Sequence, residues 1–98
     1  IALKVADNDN VATIFADGIV AGTLVQVRDR TGSGPLITAR GEIPYGHKIA
    51  LLDIPAGADI MKYGERIGVA SHAIAAGGYV HVHNLDSMRG RGDLEQKE

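Results

Sequence analysis

Polar side chains recur at every second position near the end of the chain, in Tyr79-Val80-His81-Val82-His83. Alternate residues of an extended strand point to the same face, so Tyr79, His81 and His83 are predicted to share one face of a strand that runs to Asn84. Two imidazoles about 6 to 7 Å apart along a strand can bind one metal ion or contact one substrate. The same pattern also fits an exposed strand face on which histidine is tolerated.

Another histidine stands beside a lysine in Gly46-His47-Lys48. The glycine is typical of a turn, which would place both side chains at the boundary with solvent. An imidazole and an ammonium group in that position suit the capture of a carboxylate or the exchange of a proton near neutral pH. An ordinary polar turn would have the same composition.

The choice of metal ligands is narrow because the sequence contains no cysteine. A disulfide scaffold, a thiolate metal site and a cysteine nucleophile are thereby excluded. A closed metal site would need His47, His72 or carboxylates in addition to His81 and His83. We therefore assign no metal site to this chain and keep His81 and His83 as candidate ligands.

Short strands, rather than helices, are predicted to position these groups. Residues 1–5 alternate apolar and other side chains, and 11–15 form a second apolar run. Residues 24–28 and 35–39 flank a segment with two glycines, which is typical of a hairpin. Glycine or proline interrupts nearly every window that could hold a helical period, so at most single helical turns are expected.

One short pattern occurs four times: isoleucine, two residues, glycine, two residues and an apolar residue. The copies are Ile19-Val20-Ala21-Gly22-Thr23-Leu24-Val25, Ile43-Pro44-Tyr45-Gly46-His47-Lys48-Ile49, Ile54-Pro55-Ala56-Gly57-Ala58-Asp59-Ile60 and Ile74-Ala75-Ala76-Gly77-Gly78-Tyr79-Val80. Their unequal spacing does not predict a solenoid. It predicts one device used repeatedly, in which isoleucine anchors the core and the chain turns at a glycine with positive φ, as at Gly46 and Gly57. The fold class is all-β.

The bulk properties limit the function further. A chain of 98 residues provides one small domain. Its formal charge of −2 gives no electrostatic reason to bind nucleic acid. No apolar run approaches the roughly 20 residues of a membrane helix, so no membrane partner is predicted and a cytoplasmic location is expected. We predict a domain over residues 1–85 and a polar tail or linker over 86–98.

A series of motifs along the chain is quite specific. They are Ile43-Pro44-Tyr45-Gly46-His47-Lys48-Ile49-Ala50-Leu51, Asp53-Ile54-Pro55-Ala56-Gly57, Ile60-Met61-Lys62-Tyr63-Gly64-Glu65, Ile67-Gly68 and His81-Val82-His83-Asn84-Leu85. Together they resemble the small domain of the altronate and galactarate dehydratase family. That family includes sugar-acid hydro-lyases and a sulfolactate sulfo-lyase in which the small piece is a separate subunit.

The resemblance implies an SAF domain with a β-clip fold. It also implies a carbon–oxygen lyase, or hydro-lyase, of sugar-acid metabolism whose large catalytic body uses iron or another divalent metal. On that basis the chain is the small subunit or N-terminal domain of a larger enzyme. It would be inactive without the large catalytic subunit or C-terminal domain.

The family's motifs also imply roles for individual residues. His47, Lys48 and His83 are expected to be catalytic, and His81 and Asn84 to bind substrate. The substrate would be an anionic sugar acid or a sulfolactate-like acid. The sequence does not identify the acid or the leaving group.

A different class of function is a stand-alone SAF module that binds carbohydrate or assists assembly without catalysis. The enzyme hypothesis predicts that His47, Lys48, His81 and His83 converge on one exposed patch. The binding-module hypothesis does not need that convergence.

Overall fold

The computed structural model describes residues 1–81 and 84–87, and this part of the chain contains strands and no helix. The nine strands are β1 (Ala2–Leu3), β2 (Val11–Ile14), β3 (Leu24–Arg28), β4 (Leu36–Thr38), β5 (Lys48–Ala50), β6 (Asp59–Lys62), β7 (Glu65–Ala70), β8 (Tyr79–Val80) and β9 (Leu85–Ser87). The prediction of an all-β fold is confirmed. Across the described residues, no helix is long and apolar enough to cross a membrane.

The strands form two sheets. Six strands lie in the order β4-β3-β1-β2-β5-β8, and three lie in the order β6-β7-β9. β1 runs parallel to β3, and the other neighbouring strands are antiparallel. The predicted hairpin is confirmed as β3 and β4, in which Leu24 lies opposite Thr38.

The four repeated patterns form turns of one kind. In each, the glycine has a positive φ: 91° at Gly22, 82° at Gly46, 84° at Gly57 and 86° at Gly77. The next residue's amide donates to the carbonyl three residues earlier, as from His47 to Pro44 at 3.1 Å. A positive φ at the third residue is typical of a type II turn and favours glycine. The predicted conformations of Gly46 and Gly57 are confirmed.

These turns associate in two reciprocal pairs. The first turn pair joins the turns at Gly22 and Gly46 through a bridge between Ile19 and Ile43. The second turn pair joins the turns at Gly57 and Gly77 through a bridge between Ile54 and Ile74. Isoleucine is buried in every copy. The repeated motif therefore anchors two similar units.

Each turn glycine also binds the end of a strand. The amide of Gly46 donates to the carbonyl of Ile14, and the amide of Ile14 donates to the carbonyl of His47, both at 2.8 Å. The other three turns make the same two hydrogen bonds, namely Gly22 with Ala39 and Ala39 with Thr23, Gly57 with Ala70 and Ala70 with Ala58, and Gly77 with Ala50 and Ala50 with Gly78. The turns are thus continuous with the sheets and hold in place the residue that precedes the following strand.

The core lies on both faces of β2 and β5. One cluster includes Ala12, Ile14 and Ile49, and the other includes Val11 and Ala50. Successive side chains of a strand alternate between faces, so adjacent residues of the same strand enter different clusters. This alternation determines which side of the sheet each polar residue of β5 can reach.

Asp9 and Asn10 fasten the β6–β7 hairpin to the first strands. The Asp9 carboxylate accepts backbone amide hydrogen bonds from Tyr63 at 3.0 Å and from Gly64 at 2.8 Å. Asn10 pairs with β6 through its side chain, accepting from the Met61 amide at 2.8 Å. Two residues next to β2 therefore fix a hairpin more than fifty positions away in sequence.

The end of the described chain differs from the prediction. Strand β8 stops at Val80, and the predicted strand through Asn84 is wrong because the Asn84 amide donates to the His81 carbonyl at 3.0 Å and closes a turn. Strand β9 then pairs with β7 as far as Ser87, and the division into a domain over 1–85 and a tail over 86–98 stays a prediction. His83 and most of the predicted tail, 88–98, lie outside the described residues.

Candidate functional site

The register of β5 and β8 places two histidines opposite each other. Ile49 pairs with Tyr79, and Lys48 pairs with Val80. Continuing this antiparallel register by one residue brings His47 opposite His81. The turn at Gly46 delivers His47 to this position, and the turn at Gly77 delivers the strand that carries Tyr79.

His47, Tyr79 and His81 form a compact cluster, here called the histidine–tyrosine cluster. The ring centroids of His47 and His81 are 4.5 Å apart, and those of Tyr79 and His81 are 5.6 Å apart in a stacked arrangement. All three residues are half-buried, and Tyr79 packs against the first core cluster. The cluster is therefore open to a ligand on one side and supported by the core on the other.

A short hydrogen bond joins two members of this cluster. The Nδ1 atom of His47 lies 2.5 Å from the Tyr79 hydroxyl oxygen. With Nδ1 unprotonated, the phenol O–H donates to it, and with Nδ1 protonated, the imidazole donates to the phenol oxygen. This pair can pass a proton between its members, as general acid–base catalysis requires.

Asn84 shapes the turn that carries His81. Its Oδ1 accepts from the His81 amide at 3.0 Å, and its Nδ2 donates to the Tyr79 carbonyl at 2.8 Å. The side-chain amide is thus engaged with the backbone on either side of Val80. Its predicted contact with substrate stays a prediction, whereas its contacts with the turn position His81.

Lys48 is not brought together with the histidines. It follows His47 directly, and strand alternation turns its side chain to the other face of β5, opposite Thr13 of β2. Burial of the side chain, aided by the charge of Lys62, lowers the pKa of Lys48 below its usual range. The expected single patch of His47, Lys48, His81 and His83 is therefore divided between two faces, with His83 outside the described residues.

Metal binding by the described residues has little support. Within 1–81 and 84–87, no group of three histidine or carboxylate side chains is placed to hold a metal ion. His47 and His81 supply two imidazoles, and Nδ1 of His47 is already bonded to Tyr79. This donor set does not fit a metal by itself, and His83 lies outside the described residues.

The sequence analysis did not assign Tyr79 a role in the site. Tyr79 shares the predicted strand face of His81, so its alternation with that histidine was a usable signal. The approach of His47 to Tyr79 and His81 had no such signal, because it depends on the pairing of β5 with β8. Contacts between distant segments cannot be read from local spacing.

Comparison with known protein families gives a match over residues 1–88 to the altronate/galactarate dehydratase SAF domain. The chain belongs to this family. The motif series predicted this membership, and the all-strand architecture agrees with it.

Individual relatives show what kind of proteins contain such a domain. The chain is 43% identical over 94 residues to altronate dehydratase of Escherichia coli (strain K12), covering 96% of this chain and 17% of that protein. It is 47% identical over 79 residues to galactarate dehydratase (L-threo-forming) of the same organism, covering 80% of this chain and 14% of that protein. The chain thus spans less than one fifth of these two dehydratases.

A third relative has a different organisation. The subunit alpha of (2R)-sulfolactate sulfo-lyase from Chromohalobacter salexigens is 33% identical over 86 residues, covering 84% of this chain and 88% of the relative. The chain therefore matches a small part of two dehydratases and most of a sulfo-lyase subunit.

Proposed function

We propose that this chain is the SAF component of a sugar-acid dehydratase and works with a much larger catalytic portion. Relatives named as dehydratases, of which it matches only a small share, support this proposal. The observation that carries it is the histidine–tyrosine cluster, which is half-buried and joined by a short hydrogen bond. The substrate would be an aldonic or aldaric acid of the altronate or galactarate type.

Dehydration of such an acid breaks two bonds. A base removes the proton from the carbon beside the carboxylate, and the hydroxyl on the next carbon leaves as water after it gains a proton. We assign the second step to this chain: a protonated His47 donates to the departing hydroxyl. Tyr79 holds the imidazole through Nδ1, so that Nε2 is the atom directed to the substrate.

The other groups needed for the reaction belong to the large portion. A divalent metal such as iron, bound there, would polarise an oxygen of the substrate. The base that removes the carbon-bound proton is assigned there as well. His81 stacks beside Tyr79 and lies next to His47, so we assign it to substrate binding, and we keep His83 as a further candidate for proton transfer.

The experiment uses the SAF chain together with its large catalytic portion. We expect His47→Gln to lower kcat for altronate or galactarate by about 100-fold or more, the range of general acid catalysis. Tyr79→Phe keeps the ring and removes only the hydroxyl, so a smaller loss of kcat is expected. Circular dichroism and gel filtration would show that folding and assembly are unchanged.

His72→Gln is the matched control. His72 is exposed and its Nδ1 lies 3.1 Å from the hydroxyl of the adjacent Ser71, away from the cluster. This control should retain full activity. If His47→Gln also retains full turnover in an intact assembly, the proton-transfer role is wrong and the domain is a binding or assembly module.

A further inference from the structure

Lys48 lies on the opposite face of β5 from the histidine–tyrosine cluster, on a polar surface next to the β6–β7 hairpin that is here called the lysine face. Its neighbour across the sheet is Thr13, which is 5% exposed. Lys62, at the end of β6, is close enough for its charge to lower the pKa of Lys48, after the larger effect of burial. Both lysines are half-buried, and their like charges repel each other.

Tyr63, in the turn of the β6–β7 hairpin, also contributes to the lysine face. Its hydroxyl oxygen is 3.5 Å from Oγ1 of Thr13, and Nζ of Lys62 lies 4.8 Å from the centre of its ring. Tyr63 is 52% exposed as a residue, so it does not serve as an ordinary core residue. The hydroxyls of Thr13 and Tyr63 and the ammonium group of Lys62 therefore lie together, and Lys48 is the cross-strand neighbour of Thr13.

The backbone of Tyr63 is strained. Its φ is 56°, a left-handed conformation that is costly for an aromatic residue, and it is the one residue other than glycine with positive φ in the described part of the chain. The hydrogen bond from its amide to Asp9 helps hold this conformation. The hairpin turn enforces this conformation, because Tyr63 and Gly64 lie between the paired residues Lys62 and Glu65 and a type I′ turn requires positive φ at both positions.

No carboxylate of the described residues pairs with the lysines of the lysine face. Among residues 1–81 and 84–87, the ion pairs are Arg30 with Asp7 and Arg66 with Asp59. The Asp9 carboxylate is occupied by backbone amides, including that of Gly64. No acidic side chain of the described chain neutralises Lys48 or Lys62, although both charges are near each other.

We propose that Lys48, Lys62, Thr13 and Tyr63 form a binding site for the carboxylate of a small hydroxy acid, here called the lysine site. The ammonium groups supply the charge that a carboxylate pairs with, and the hydroxyls donate to its oxygens. The choice of a hydroxy acid rests on the proposed function, whereas the choice of a carboxylate rests on the ammonium and hydroxyl groups of these four residues. The separation from the histidine–tyrosine cluster makes this a second recognition point on the domain.

The test is a titration of the 98-residue chain with sodium gluconate, followed by amide chemical shifts in two-dimensional NMR. Sorbitol serves as the uncharged polyol of the same chain length, and sodium sulfate serves as an anion without a carboxylate. We expect gluconate to shift the amides around Thr13, Lys48 and Tyr63, and sorbitol to leave them unchanged. Sulfate should bind more weakly than gluconate.

Two variants and a control locate the site. Lys62→Met should weaken gluconate binding about tenfold or more, as expected for the loss of a charged hydrogen bond. Tyr63→Phe, which removes only a hydroxyl, should weaken it less. Arg30→Met removes a largely exposed cation from the β3–β4 loop and should leave the affinity unchanged.

Several results would overturn the proposal. One is a set of amide chemical-shift changes at residues away from Thr13, Lys48 and Tyr63. The others are equal binding of sulfate and gluconate, unchanged gluconate affinity in both Lys62→Met and Tyr63→Phe, or no gluconate binding at all. In the last case the lysine site would fit an acidic side chain of the large catalytic portion instead. Binding is measured without turnover, so this test and the activity test of His47→Gln can fail independently.

Discussion

The two turn pairs have the same backbone hydrogen bonds but present different residues after the glycine. In the first pair these residues are Thr23 and His47, and in the second they are Ala58 and Gly78. At Gly78 a Cβ atom would approach the carbonyl oxygen of Ala75 to 2.9 Å, so a side chain there needs a local shift. The same device therefore places a reactive side chain in one unit and serves packing in the other.

This difference separates the residues that build the turns from the residue that can carry a functional side chain. The buried isoleucine and the positive-φ glycine are common to all four turns, and they determine where the next strand starts. The residue after the glycine is free to vary wherever the neighbouring space is open. Function in this domain is thus attached to a repeated structural element rather than built from a special one.

The largest expected effect on stability comes from adding a side chain to Gly77 in the second turn pair. A Cβ atom on Gly77 would lie 2.0 Å from the carbonyl oxygen of Thr38, whereas a Cβ atom on Gly57 would meet nothing within 4 Å. Both glycines have φ near 85°. Gly57→Ala should therefore cost only the strain of a left-handed alanine, about 1 to 2 kcal/mol.

Gly77→Ala should cost more than about 3 kcal/mol, because the strain is accompanied by displacement of backbone and loss of a hydrogen bond. The bond at risk is the one from the Arg40 amide to the Gly77 carbonyl, which is 3.0 Å long. Urea unfolding of the two variants measures the difference in the free energy of unfolding. Equal losses would show that the contact of Gly77 with β4 is not a constraint.

The next effect concerns the connection of the β6–β7 hairpin to the first strands. Burial raises the pKa of Asp9, but four backbone hydrogen bonds outweigh it and hold the pKa below its ordinary value of 3.8. Asp9→Asn replaces an acceptor with a donor beside these amides and should cost about 2 to 4 kcal/mol. Asp7→Asn, in the same loop and with a largely exposed side chain, is the control and should be nearly neutral.

Acid unfolding provides an independent measure of the same group. As the pH falls below 3.8, the unfolded chain takes up a proton at Asp9 before the folded chain does, so the stabilisation from Asp9 is lost through the folded-state pKa. Above that range the contribution is constant. The free energy of unfolding of Asp9→Asn should lack this part of the pH dependence, and an unchanged acid profile would contradict the assignment.

The smallest effect is expected at Lys48, between the two turn pairs. Its lowered pKa means that the charged form is disfavoured in the folded chain, so stability should rise as the pH rises from the folded-state pKa towards 10.5. Lys48→Met should raise the free energy of unfolding at neutral pH by about 0.5 kcal/mol, a small value because part of the side chain still meets water. Thermal unfolding at neutral pH and at pH 11 measures both effects, and a destabilised variant would contradict them.

Local patterns in the sequence predicted the repeated parts of the fold. The glycine turns, the β3–β4 hairpin and the all-β class follow from turn chemistry and alternation, which depend on neighbouring residues. The predicted strand from Tyr79 to Asn84 was wrong at its end because the Asn84 side chain binds the backbone and closes a turn. Short polar side chains compete with strand pairing in this way.

Only part of the candidate site could be predicted from the sequence. Tyr79 and His81 were grouped correctly on one face, and the short distance between His47 and His81 required the pairing of β5 with β8. The separation of Lys48 from His47 follows from alternation, which applies to adjacent residues of any strand. The association of Tyr63 with Thr13 depends on Asp9 and on the register of remote strands, so no local signal predicted it.

The reciprocal hydrogen bonds of the turn pairs also bear on how the chain folds. Gly46 binds Ile14, Gly77 binds Ala50 and Asp9 binds Gly64, so the contacts that hold the domain together join segments far apart in sequence. Proteins dominated by such non-local contacts pay the entropy of loop closure before they gain the contacts, and they fold in about milliseconds to seconds. His47 precedes β5 and His81 follows β8, so the two imidazoles meet only when these strands are paired, and the cluster is lost as a whole when the sheet opens.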